Sequence, residues 1–159
     1  MGKVLAGFSN GYPGAIARSV DDIVVSHAAG ATIPFGVPVV FNPLKTAVVP
    51  FASTHTVEDL VGIAVRVPSK TPDAYDSSTA QYNPREMADV LVRGTAVVQC
   101  ISGTPAPGGA VYIVKANGKF AAESATAGTD NVLVPHMKWR GAKDSNNRAE
   151  VVVLIRNIT

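Results

Sequence analysis

The chain has 159 residues, 47% of them hydrophobic and only 16% charged, with a formal net charge of +2. That apolar content excludes a disordered tail protein and is ample for the core of one domain. The mild charge gives no footprint for a nucleic-acid partner, and the longest aliphatic run, Val151–Ile155, falls far short of a membrane span of roughly 18 residues.

The hydrophobes are of a particular kind: 24 Val and 8 Ile against 6 Leu. β-branched side chains are stiff at χ1 and fit a pleated surface, whereas helical proteins lean on Leu. With 14 Gly and 11 Pro scattered through the chain, long helices are disfavoured and an all-β fold is expected. The single cysteine, Cys100, excludes an internal disulfide and a Cys-based zinc cage. After Met1-Gly2-Lys3 there is no sustained apolar segment of a signal peptide, and position 6 is Ala, not the Ser or Thr of a myristoylation site. A cytosolic product is expected.

Residues 1–20 are read as an extended N-terminal arm and 21–159 as a single β domain. Gly7–Arg18 is too rich in Gly and Pro for a helix, and with Phe8, Tyr12 and Ile16 too apolar for a solvated tail. Such a segment lies against its own domain or a neighbouring subunit. Strand signals then follow at Asp22–Ser26, at Gly36–Phe41 (with Pro38 marking an edge or a strand start) and at Ala47–Phe51. Leu60–Val67 alternates cleanly and reads as a half-buried strand, preceded at Thr56 and Asp59 by room for one capped helical turn.

Residues 68–86 form a long loop without periodicity, of a length that is usually functional. In Asp89–Ile101 the period slips at Gly94, which indicates a bulge or bend in one long strand. Ser102–Gly109 is a Pro/Gly turn, and Asn117-Gly118 marks a hairpin between Ala110–Ala116 and Lys119–Ala122. Ala121–Thr129 reads as loop, and Val132–Arg140 and Arg148–Ile158 close the chain. The expectation is a small antiparallel barrel or sandwich of about 8–10 strands.

Candidates for chemistry are sparse. His55 and Glu58 would share a face of a helical turn, but two ligands do not make a metal site. His27 reads as a loop residue and His136 as the polar face of a strand. Cys100, flanked by apolar residues, reads as a buried structural thiol. Gly108-Gly109 precedes a strand, so it lacks the helix N-terminus of a phosphate cradle. Asp73 and Asp76 read as solvated loop acids. Lys138-Trp139-Arg140, with Lys143 and Arg148 beyond, offers cations beside one aromatic, but Asp144 and Glu150 interrupt the field. Trp139 therefore anchors a core or an interface. No enzyme, metal, cofactor, nucleic-acid or membrane role is expected.

The order of several short pieces carries a resemblance. They are Gly11-Tyr12-Pro13-Gly14-Ala15-Ile16-Ala17-Arg18-Ser19, then Gly36-Val37-Pro38-Val39-Val40, Val61-Gly62-Ile63-Ala64-Val65, and Tyr82-Asn83-Pro84 leading into Val90-Leu91-Val92-Arg93-Gly94. Gly109-Ala110-Val111-Tyr112, Gly118-Lys119-Phe120 and a final Val-rich strand complete the set. From about residue 11 to 156 the chain resembles the head decoration, or cement, proteins of tailed bacteriophages. The resemblance implies a structural virion protein made in the host cytoplasm, bound to the capsid exterior and bridging neighbouring capsomers. Its implied partners are the major capsid protein and copies of itself, as a trimer or alternatively a dimer.

On that reading Phe8, Tyr12, Pro13, Ile16, Arg18, Tyr75, Tyr82, Trp139 and Arg140 are candidates for the subunit or capsid interface. Removal of residues 1–18 is then expected to leave the β domain folded. The alternative is a virion-surface or tail β domain for receptor or glycan binding, with Tyr75 and Tyr82 of the 68–86 loop as the recognition surface.

Overall fold

The computed structural model describes residues 10–67, 80–126 and 128–154, the side chains of 18–20 excepted. Thirteen strands lie within them. The first six are β1 (Ile16–Ala28), β2 (Ile33–Pro34), β3 (Pro38–Phe41), β4 (Val48–Pro50), β5 (Leu60–Ala64) and β6 (Gln81–Tyr82). The rest are β7 (Met87–Gln99), β8 (Ala110–Val114), β9 (Lys119–Ala121), β10 (Ala125–Thr126), β11 (Thr129–Asp130), β12 (Val132–Trp139) and β13 (Arg148–Val153). A 3-10 turn at Val57–Asp59 opens with the expected capping box from Thr56 to Asp59. No helix of the described residues is long and apolar enough to cross a membrane.

Nine strands form one curled antiparallel half-barrel sheet, in the order β4-β3-β5-β7-β13-β12-β8-β9, with β1 also on β7. Two-stranded sheets pair β2 with β6 and β10 with β11. The curl brings distant segments together: Ile101 N–H donates to the Phe120 carbonyl (3.0 Å), and Gly30 N–H to that of Val48 (2.8 Å). The first joins β9 to the chain just beyond β7. The second joins β4 to the chain just beyond β1.

Two apolar clusters fill the structure. One holds Val40, Leu60, Ile63, Leu91, Phe120 and Trp139 among others; the second holds Ile33, Phe35, Val39, Val61, Val90 and Tyr82. Neighbours along a strand alternate faces, so Val39 and Val40, or Val90 and Leu91, serve opposite clusters. The two clusters therefore flank β3, β5 and the first half of β7. For this reason β5 is buried along its whole length, not half-buried as its alternation suggested. Leu60 and Ile63 enter the same cluster despite their odd spacing, because the pairing with β3 slips at Val61.

β7 is continuous through the predicted slip at Gly94. Ahead of it Leu91 faces the first cluster; beyond it Ala96 and Val98 do. Gly94 has φ +122°, and a Cβ there would collide with the Asp22 carboxylate. Opposite this point β1 carries extra residues between Arg18 and Ile23, and Asp22 Oδ1 accepts from Thr95 N–H (3.3 Å). Beside it Arg93 pairs with Asp21 at 2.6 Å.

Several boundaries differ from the sequence reading. β1 runs for 13 residues where a short Asp22–Ser26 run was expected, because pairing with β7 carries it through polar Asp21, Asp22 and Ser26. Residues 81–86 of the expected long loop are structured: β6 pairs with β2, and Asn83 N–H donates to Glu86 (2.7 Å). Residues 68–79 lie outside the described set. The small-residue stretch after β9 holds the β10–β11 hairpin, and Val114 pairs with Lys119 across the Asn117-Gly118 turn.

Gly94→Ala should destabilise the fold by about 2–4 kcal/mol, from backbone strain and the clash with Asp22. Thermal melting measures it. Adding Asp22→Ala should recover part of the loss, and no recovery would mean that the clash is not the cause.

Candidate functional site

The residues considered for catalysis sit in structural roles. His55 Nδ1 accepts from Ala52 N–H (3.0 Å), capping the turn before the 3-10 segment. His27 packs edge-on against Phe41, with ring centroids 5.1 Å apart. His136 is half-buried on β12. Cys100 is fully buried, its thiol donating to the Ser102 carbonyl (3.2 Å), and burial pushes that thiol above its ordinary pKa. A thiol of this kind is a poor nucleophile. Gly108 and Gly109 form the expected turn, exchanging backbone hydrogen bonds with Trp139 (2.8 and 3.0 Å). Among the described residues no group of three or more His, Cys, Asp or Glu is placed to hold a metal ion.

The geometry with most functional content lies where residues 10–15 meet the sheet. Gly14 N–H donates to the Val97 carbonyl, and Arg66 N–H donates to the Gly14 carbonyl, both at 2.8 Å. This segment thus stitches β7 to the chain leaving β5. Gly14 has φ +81°, and a Cβ there would lie 2.9 Å from backbone atoms of Ala64, Arg66 and Gly36. Only glycine fits so close an approach. Asn10 anchors the other end, its amide side chain donating to the Arg148 carbonyl (2.7 Å) and its N–H to Asp144 Oδ2 (2.9 Å).

Asp144 organises the loop before β13. Its Oδ1 accepts from the N–H groups of Asn146 and Arg148, both at 2.9 Å. Partial burial pushes the carboxyl up, but the N–H groups of Arg148, Asn10 and Asn146 and the Arg148 charge outweigh that. The net effect holds it below its ordinary value. Tyr12 lies between two cations, with the Arg66 guanidinium 4.8 Å and that of Arg148 4.9 Å from its ring centroid. Arg148 also donates to the Gly11 carbonyl (3.0 Å).

The interface candidates divide. Tyr12 and Pro13 are half-buried against their own domain, and Ile16 opens β1 with 39% exposure. Arg140 is exposed at the end of β12, whereas Arg18 is placed by its backbone alone, in β1 opposite Thr95. Phe8 and Tyr75 lie outside the described residues. Tyr82 and Trp139 need correction as surface candidates: both are buried in the clusters, at 0% and 1% exposure. The Tyr82 hydroxyl donates to the Val65 carbonyl (2.7 Å), and burial pushes its pKa up to about 12. The glycan-binding alternative therefore loses Tyr82.

The sequence reading missed other surface residues. Ile23 and Val24 on β1 are 42% and 40% exposed, and Met87, opposite Ala28 at the far end of the pairing, is 59% exposed. β1 is an edge strand, since among the described residues β7 is its only strand partner. The signal was available in Ile23-Val24-Val25, because three successive apolar residues of a strand cannot all face one core.

The profile of a family described as structural cement protein (E217 gp24/Pam3 gp6) matches residues 3–155. Among solved structures, a chain from "The capsid of Myoviridae Phage XM1" superposes with a TM-score of 0.74 at 18% identity, over 95% of this chain and 94% of that one. No curated protein matches significantly.

Asp144 titrates lower in the folded chain than in the unfolded one. Its contribution is complete above the ordinary value of 3.8 and is lost as pH falls through the folded value. Protection of the Asn10 and Gly14 amides against exchange, taken relative to the intrinsic rate at each pH, should fall over that acid range. In Asp144→Ala the protection should be about tenfold lower at neutral pH, with its further loss in acid gone. Unchanged exchange would show that Asp144 does not hold the segment.

Proposed function

This chain belongs to the phage structural cement protein family, a capsid-associated structural class, and we propose that it binds the outer surface of a capsid and ties neighbouring capsomers together. The role is structural, not catalytic. Its partners are the major capsid protein and copies of itself, with a trimer favoured over a dimer, and it reaches the virion exterior from the host cytoplasm.

The observation that carries this reading is the β1 edge. β1 runs for thirteen residues with one strand partner among the described residues, and Ile16, Ile23 and Val24 are exposed along it. Exposed edges of this length are hazards in free proteins and are normally blunted or covered. Covering the remaining surface of Ile23 and Val24 contributes about 1 kcal/mol each at the usual coefficient for apolar area. One such contact is weak. Repetition through an oligomer on a lattice makes it strong by effective concentration.

The docked segment refines the role of the arm. Residues 10–15 are hydrogen-bonded into their own domain and β1 begins at Ile16, so residues 10–18 belong to the folded domain. A cut after residue 18 would remove part of β1 and the Gly14 bridge. It should destabilise the domain, contrary to the sequence expectation, whereas a cut after residue 9 should leave it folded.

The test is co-sedimentation with shells stripped of this protein. Ile23→Lys with Val24→Lys should lower shell affinity at least tenfold while thermal melting stays near that of the unaltered chain. Unaltered shell binding by the double variant would exclude the β1 edge as the contact.

A further inference from the structure

We propose that the cleft beside the docked 10–15 segment is a receptor site for an acidic segment of another protein, held through its carboxylates. The cleft has a volume of about 310 Å³, and Pro13, Pro34, Phe35, Arg66, Lys119 and Arg148 are among the residues that line it. Among the described residues no Asp or Glu lines it. It has no part in the β1-edge contact and is independent of that reading.

The charges make the case. Arg66 and Arg148 both stack on Tyr12, so their guanidinium carbons lie within about 10 Å of one another, on the order of a Debye length at physiological salt. Among the described residues neither has a carboxylate within ion-pair distance, and nor does Lys119. The acid that acts on Arg148 is Asp144, and its oxygens already accept backbone N–H groups of Asn10, Asn146 and Arg148. Like charges gathered around one ring, with the one nearby acid already engaged by backbone N–H groups, favour an incoming anion. Guanidinium groups present planar forks suited to carboxylates. The amides of Gln99 and Asn146 add neutral donors.

The shape narrows the anion to a peptide segment. The walls pair cations with apolar surface from Pro13 and Pro34, which suits an acidic side chain flanked by an aliphatic one. A nucleic acid fits less well. The Tyr12 ring is already occupied by two guanidiniums and Phe35 is 6% exposed, so neither ring offers an open face on which a base can stack. The chain's net charge of +2 supplies no extended track for a phosphate backbone.

The experiment titrates the full chain with an acetylated Glu-Asp-Glu-Asp peptide and follows amide shifts of Gly14, Gly36 and Lys119 by NMR. The peptide should bind, the Gln-Asn-Gln-Asn version should not, and raising NaCl from about 50 to about 300 mM should weaken binding. Arg66→Gln should reduce affinity about tenfold and Lys119→Gln about threefold. Lys119 does not touch Tyr12, so its variant decides the matter if Arg66→Gln disturbs the segment. Equal binding of the neutral peptide, or no loss in Lys119→Gln, would overturn the proposal. So would displacement by inorganic phosphate at equal concentration, or tighter binding of a single-stranded oligonucleotide at the same amides.

Discussion

One strand, β7, serves both apolar clusters, and the one-residue slip at Gly94 lets both of its halves fill the first of them. Strict alternation over thirteen residues would keep one set of side chains on one face throughout. At Gly94 the faces exchange, so Leu91 before it and Ala96 and Val98 after it fill the same cluster. β1, β5 and β13 all pair with β7, and their positions follow from it. The slip also leaves a place for Asp22, whose carboxylate occupies the space a side chain at position 94 would need.

The surface features follow from the same arrangement. β1 must bulge between Arg18 and Ile23 to follow β7 past Gly94, and Ile23 and Val24 emerge beside that irregularity as exposed apolar residues. At the far end of β7 the Val97 backbone receives Gly14, and the docked segment places Tyr12 between Arg66 and Arg148. An apolar edge and a basic cleft thus have a common origin in one strand and the segments laid against it.

Much of the fold was legible because β chemistry leaves local marks. The excess of Val and Ile, the Asn117-Gly118 turn, the slip at Gly94 and the Thr56–Asp59 cap each depend on neighbours in sequence, and each appears as expected. What was not legible depends on distant segments. Burial of β5 on both faces comes from a second cluster that no local alternation can reveal. Tyr82 read as a loop residue because its partners, Ile33 in β2 and the Val65 carbonyl, are set by tertiary contacts. The basic cleft gathers Arg66, Lys119 and Arg148 from three separate stretches, none of which is a charge run by itself.

The central proposal is that this chain bridges capsomers on the outside of a shell. A cryo-EM reconstruction of shells reassembled with the purified protein tests it directly. The account predicts density for this β domain on the outer surface, straddling the boundary between neighbouring capsomers, with the β1 edge against a protein partner. Density confined to the face of a single capsomer, or to the shell interior, would contradict it.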